Sequence, residues 1–219
     1  MIMNKNDLNF TAKLTIKVEL PYRTYLPNDY SDDGPAHPLL LFLHGAGERG
    51  DDLTALTNTA LPKHIEEGLD LPFVTVCPQC AEGSWWDEHA LSALLDKVVS
   101  AYNIDQTRLY LTGLSMGGRG TWQLANLLGE KFAAIAPICP PFVWVNPENF
   151  RNLPIWCFHG VMDSVIPVSD SVKIVRLLRS NGCKVEFTTY ANADHDSWTD
   201  TYTNPELYEW LLSHRRAAP

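Results

Sequence analysis

Gly113, Ser115 and Gly117 form a G-x-S-x-G pattern, extended by Gly118 and followed by Arg119 and Gly120. A serine hydroxyl is a poor nucleophile at neutral pH and needs a base within hydrogen-bond reach. An imidazole suits that task because it titrates near neutral pH, and a carboxylate behind it fixes the tautomer and stabilises the imidazolium. Asp163 and His195 follow Ser115 in that order, each just past an apolar run. Asp194 and Asp196 flank His195 but would have to fold back on their own neighbour, and Asp170 lies further from a strand end. Asp163 is therefore the favoured acid. His214 falls in the last helical stretch, which leaves His195 as the base.

Acyl transfer through a serine also needs two N–H donors for the oxyanion. The residue after the nucleophile, Met116, is one. Ala46, in the loop His44-Gly45-Ala46-Gly47, is the other. His44 is expected to be a structural histidine inside that loop. The Asp-His-Asp run at 194–196 lacks a second histidine at ligand spacing, and Cys77 and Cys80 lack the second pair that a zinc site requires. No metal and no cofactor are expected.

These side chains need a scaffold that delivers them to one place. Residues 108–112 read as a buried strand entering the Gly-rich turn, and Trp122, Leu124, Ala125, Leu127 and Leu128 recur at helical spacing until Gly129. Strand, tight turn and helix are what a nucleophile elbow requires. Residues 39–43 are a continuous apolar run, 73–77 and 132–138 read as further buried strands, and 155–158 and 184–190 as strands after them. Leu91, Leu94, Leu95, Val98, Val99 and Tyr102 predict an amphipathic helix, with others near 172–182 and 204–214 and a weak one between 50 and 70. Residues 11–20 alternate apolar with polar and predict a strand, with 22–26 as its hairpin partner. Strands alternating with helices predict an α/β fold: a mostly parallel sheet behind an N-terminal antiparallel hairpin, with helices on both faces. Sites in such sheets form beyond the carboxyl ends of the strands. Ala46, Ser115, Asp163 and His195 each follow a predicted strand.

At 219 residues the chain reads as one domain, 1–219. A formal charge of −9 with no basic cluster argues against a nucleic-acid surface. No apolar run reaches membrane-spanning length. The first residues lack the apolar stretch of a signal peptide, so a cytoplasmic protein is expected, its five cysteines being buried thiols. Oligomeric state is not readable.

The residues 41–50, 104–118, 159–167 and 194–198 together resemble the α/β-hydrolase superfamily, whose triad runs in the order serine, acid, histidine. Within it the chain is similar to small serine carboxylesterases of the phospholipase/carboxylesterase kind, near the predicted-peptidase and feruloyl-esterase groups. Dienelactone hydrolases share the fold but carry cysteine at the elbow, and Ser115 sets that chemistry apart. The resemblance implies a cofactor-free esterase acting on a small-molecule ester through an acyl-enzyme. Acyl-protein thioesterase (lysophospholipase-like) and feruloyl esterase activities stay open, as does a non-catalytic receptor on the same fold. Only segments 50–70 and 139–153 leave room for a lid, so no large cap domain is expected and the site should take small or short-to-medium acyl groups. Trp85 and Trp86 precede a helix facing the strand ends, and at least one should line the substrate pocket. Trp144 is a further pocket candidate and Trp198 a buttress for His195. Glu48 and Arg49 read as an ion-paired loop staple.

Overall fold

The computed structural model describes residues 7–13, 15 and 17–217. Its strands are β1 (Tyr22–Tyr25), β2 (His37–Leu43), β3 (Val74–Pro78), β4 (Ile104–Leu114), β5 (Ala134–Ile138), β6 (Ile155–Gly160) and β7 (Val185–Tyr190). They form one sheet in the order β1-β3-β2-β4-β5-β6-β7. Only the β1–β3 pair is antiparallel. Alternate residues of β2 enter different cores: Leu39, Leu41 and Leu43 join one apolar cluster, Leu40 and Phe42 the other. This is the period-2 signature of a strand buried on both faces, and it explains why residues 39–43 include no polar residue.

Helices α2 (Glu88–Ala101), α3 (Met116–Leu128) and α4 (Ser169–Ser180) cover the first face, through Leu91, Leu124 and Ile174. The second face is covered by α1 (Ala60–Glu66), α5 (Trp198–Thr203) and α6 (Pro205–Leu212), through Leu61, Tyr202 and Leu211. Capping fixes where two of them start. Asp87 accepts the His89 and Ala90 N–H groups ahead of α2, and Asn204 accepts from Glu206 ahead of α6, whose first residue is Pro205.

Among the described residues the N-terminal hairpin does not form. None of the described residues in 7–20 lies in a strand, while the expected Leu14 and Ile16 lie outside the described residues. Only Pro21 separates the two segments, and a hairpin loop needs at least two residues. Instead β1 pairs antiparallel with β3, Tyr22 opposite Pro78 and Tyr25 opposite Thr75. The chain runs from β2 outward to β3 and then crosses back to β4, so the strand order reverses between β2 and β4. Their carboxyl ends carry Ala46 and Ser115, at the switch point where a crevice opens in such sheets.

Candidate active site

Ser115 leaves β4 with φ 52° and ψ −116°, a backbone conformation that costs a non-glycine residue about 1–3 kcal/mol. Its N–H is tied to Ile138 O at 2.9 Å, and α3 begins at the next residue. The flanking glycines are there because backbone fills their space. A Cβ on Gly117 would sit 1.9 Å from Leu43 O, and one on Gly113 would sit 2.5 Å from Gly117 O. The elbow helix therefore rests directly on the end of β2. The β2 loop reaches back: a Cβ at Gly45 would be 3.8 Å from Ser115 Cβ.

Three loops from the carboxyl ends of β4, β6 and β7 bring Ser115, Asp163 and His195 together. His195 Nε2 is 3.0 Å from Ser115 Oγ, and His195 Nδ1 donates to Asp163 Oδ2 at 2.8 Å. The Asp163 side chain is fully buried, and its charge is met by hydrogen bonds. Oδ1 accepts the N–H groups of Val165 (2.9 Å) and Ile166 (2.7 Å). The other acids have different partners. Asp194 accepts from Ser164 and from the His195 N–H, tying the histidine loop to the acid loop. Asp196 holds Thr199, and Asp170 holds Phe142 and Lys173. Met116 and Ala46 are the first residues of α3 and of the short 3₁₀ turn Ala46–Glu48. First-turn N–H groups have no acceptor within their own helix. With its hydroxyl, imidazole and carboxylate linked in sequence, the site is set up chemically for nucleophilic acyl transfer.

Ser115, Asp163 and His195 all fall inside residues 84–206, and that stretch, more than half of the chain, matches the dienelactone hydrolase family. The chain belongs to the dienelactone hydrolase family. Among the proteins it resembles is the bifunctional acetylxylan esterase/xylanase XynS20E of Neocallimastix patriciarum, 32% identical over 196 residues. That alignment covers 85% of this chain and 27% of the relative. A protein of Aspergillus niger named "Probable feruloyl esterase C" is 22% identical, over 83% of this chain and 70% of its own. A thermostable esterase of known structure superposes with a TM-score of 0.78 at 35% identity, over 91% of this chain and 60% of that one. The chain thus spans about a quarter of the first relative and under two thirds of the thermostable esterase.

This dienelactone hydrolase family member carries serine, not cysteine, at its elbow. The nearby thiol is Cys139, whose ligand atom lies within 4.8 Å of those of Asp163 and His195, the one such trio of possible metal ligands among the described residues. Burial pushes that thiol up to about 12, and His195 and Asp163 are already hydrogen-bonded to each other. The trio is thus a poor ligand set as it stands.

In this family member His44 anchors the β2 loop. Its Nε2 accepts the Cys80 N–H at 2.9 Å, which leaves Nδ1 protonated to donate to Gly45 O at 2.5 Å. Burial lowers its pKa from 6.5 to about 4. A histidine held neutral in the fold stabilises it above pH 6.5, and that contribution is lost as pH falls toward 4. The full effect is roughly 3 kcal/mol. His44→Gln should therefore flatten the loss of stability between pH 6.5 and 4 in urea unfolding. An unchanged slope would show that His44 does not carry it.

Of the two adjacent tryptophans, Trp86 is the interior one. It is buried, donates from Nε1 to His44 O at 3.2 Å and packs edge-on against the His44 ring at 4.8 Å. Gly120 makes room for it, since a Cβ there would lie 2.9 Å from the indole. It supports the loop that holds Ala46. Trp85 stands exposed beside it, with Trp144, Phe142, Met162 and Val165 as other exposed apolar groups on the loops at the strands' carboxyl ends. Trp198 meets His195 edge-to-face at 5.3 Å, in keeping with a buttress. Glu48 and Arg49 form no ion pair: the Glu48 carboxyl turns inward, 3.9 Å from His44 Nδ1, and burial raises its pKa.

Sequence reasoning passed over His159. It is fully buried at the end of β6, and its Nε2 faces two acceptors, Ile166 O at 2.9 Å and Asp163 Oδ2 at 3.1 Å. Nε2 therefore carries the proton, and Nδ1 accepts from Ser171 Oγ at 2.7 Å. Two imidazoles thus converge on one carboxylate oxygen. The signal was available in His159-Gly160-x-x-Asp163, where the histidine sits one turn of loop from the acid. His159→Phe should lower kcat/KM about tenfold by removing a donor to a charged acceptor, with near-normal circular dichroism. Steady-state kinetics on 4-nitrophenyl acetate would test this.

Proposed function

We propose that this chain is a serine carboxylesterase that hydrolyses small or short-to-medium acyl esters through an acyl-enzyme, without a cofactor. The observation that carries the reading is the hydrogen-bond chain Ser115–His195–Asp163 at the carboxyl ends of three strands. Ser115 Oγ attacks the ester carbonyl as His195 takes its proton. The tetrahedral oxyanion is received by the Met116 and Ala46 N–H groups. His195 then returns the proton to the leaving alcohol, and water repeats the sequence on the acyl-enzyme. Asp163 orients the imidazole throughout. Family membership and the esterase names of the relatives support the same assignment.

Trp85 is the wall residue of this proposal, and Trp86 the support behind it. Exposed Trp144 and Phe142, together with the feruloyl esterase relative, favour aromatic acyl groups as a second substrate class. We read residues 1–219 as one domain acting on a small molecule rather than on nucleic acid or a membrane; no helix among the described residues is long and apolar enough to cross a membrane. Five buried free cysteines support a reducing, cytoplasmic setting.

Hydrolysis of 4-nitrophenyl esters from acetate to dodecanoate, with methyl ferulate alongside, tests the reading. An optimum between two and eight carbons, or strong feruloyl activity, is expected. A preference for long-chain lipids with interfacial activation would overturn the open, short-chain site.

A further inference from the structure

Asp163 and His195 come from the ends of different strands, so the distance between their two loops has to be fixed. Strand pairing between β6 and β7 runs out at Gly160 opposite Tyr190. Two backbone bonds continue the contact, from Val161 N–H to Tyr190 O at 2.9 Å and from Met162 N–H to Ala193 O at 3.0 Å. The chains lie flush there: a Cβ on Gly160 would sit 2.5 Å from Ala193 O and 2.3 Å from Asp194 O. From Asp194 onward, no backbone–backbone hydrogen bond joins the histidine loop to the acid loop among the described residues. His195 therefore depends on side chains for its place.

Two carboxylates supply the connection, and they cross. Asp163, on the acid loop, accepts from the His195 ring at 2.8 Å. Asp194, the residue before the base, reaches the other way to Ser164, the residue after the acid. Its Oδ1 accepts the Ser164 N–H at 2.8 Å and the Ser164 hydroxyl at 2.9 Å. The same oxygen accepts the His195 N–H at 2.8 Å. One atom thus bonds both the neighbour of the acid and the backbone of the base. Hydrogen bonds to an ionised acceptor are roughly twice as strong as neutral ones. The Ser164 N–H above all, then the Ser164 hydroxyl, holds the Asp194 carboxyl below the usual carboxylate range.

From this geometry we infer that Asp194 is a positioning residue for acyl transfer: by clamping Ser164 to the His195 backbone, it holds the imidazole at bonding distance from Ser115. The inference rests on the esterase reading. Asp194 exchanges no proton with the substrate, and its carboxylate is already committed to the two loops. Its contribution falls on kcat, because a displacement of about 1 Å in a catalytic group can cost on the order of 10²-fold in rate. Substrate binding is left alone.

Asp194→Ala should lower kcat on 4-nitrophenyl acetate about tenfold, with KM within about twofold of the wild type. Asp194→Asn, whose amide oxygen still accepts from both loops, should recover most of that loss. Adding Ser164→Ala to Asp194→Ala should cost little more, since both changes remove the same link. The far-downfield proton resonance of the Asp163–His195 bond reads the clamp without turnover. It should persist in Asp194→Asn and weaken in Asp194→Ala, whose melting temperature should stay within a few degrees. Wild-type kcat and an unchanged resonance in Asp194→Ala would overturn the clamp and leave the esterase intact. A loss that Asp194→Asn does not recover, or one that comes with a collapse in melting temperature, would also overturn it. Failure of every ester to react would count against the esterase reading, while the resonance would still decide the clamp.

Discussion

Ser115→Ala should lower kcat on 4-nitrophenyl acetate by about 10⁴-fold or more while leaving the melting temperature within a few degrees. In the proposed mechanism Ser115 Oγ is the atom that forms the acyl bond. The nearest thiol, Cys139, is buried, with its pKa pushed up to about 12, so it offers almost no thiolate at neutral pH. The residual rate should reflect the oxyanion donors and binding alone, and it should be insensitive to a further His195→Ala change. Alanine keeps the backbone trace, and the strained φ of 52° is imposed by the surrounding contacts rather than by the hydroxyl. Rate and stability should therefore separate. A parallel fall in both would mean that the elbow had collapsed.

Gly117→Ala should do the reverse, removing stability first. Its Cβ would lie 1.9 Å from Leu43 O, 2.5 Å from Leu43 C and 2.7 Å from His44 O. These are backbone atoms of the last residue of β2 and of the residue after it, so they cannot rotate aside as a side-chain tip would. The elbow helix would have to lift off β2 by more than an ångström, opening the apolar layer formed by Leu43, Met116, Trp122 and Leu124. A loss of about 3 kcal/mol or more is expected, equivalent to a fall of roughly 10 °C in melting temperature. Gly47→Ala is the control, because nothing lies within 4 Å of a Cβ there. It should melt like the wild type. Equal melting temperatures for Gly117→Ala and the wild type would refute the close approach.

The elbow was legible in sequence because its cause is local. A turn this tight excludes side chains on both sides, and the resulting glycine spacing survives in the sequence as Gly113-x-Ser115-x-Gly117. The strands of the central sheet were legible for a similar reason, since burial on both faces leaves mostly apolar residues. Longer-range features were not. Trp85 and Trp86 are adjacent and alike in type, yet one is exposed and the other buried, and only the packing of Gly120 and His44 decides which. Helix α5 went unforeseen because Thr199, Asp200, Thr201 and Thr203 are weak helix formers. It is held by Asp196 at its start and by fully buried Tyr202, whose hydroxyl lies 3.0 Å from Thr112 Oγ1. Residues 11–20 show the opposite failure: alternation fit for a strand, with only Pro21 as a turn and the inner edge of β1 taken by β3.

The most direct measurement is covalent trapping with diethyl 4-nitrophenyl phosphate, followed by mass spectrometry of the intact protein and its peptides. One diethylphosphoryl group per chain, located on Ser115 and abolished in both Ser115→Ala and His195→Ala, is the predicted result. Ester turnover that persists while Ser115 stays unlabelled, or labelling at another residue that stops turnover, would contradict a Ser115 acyl-enzyme.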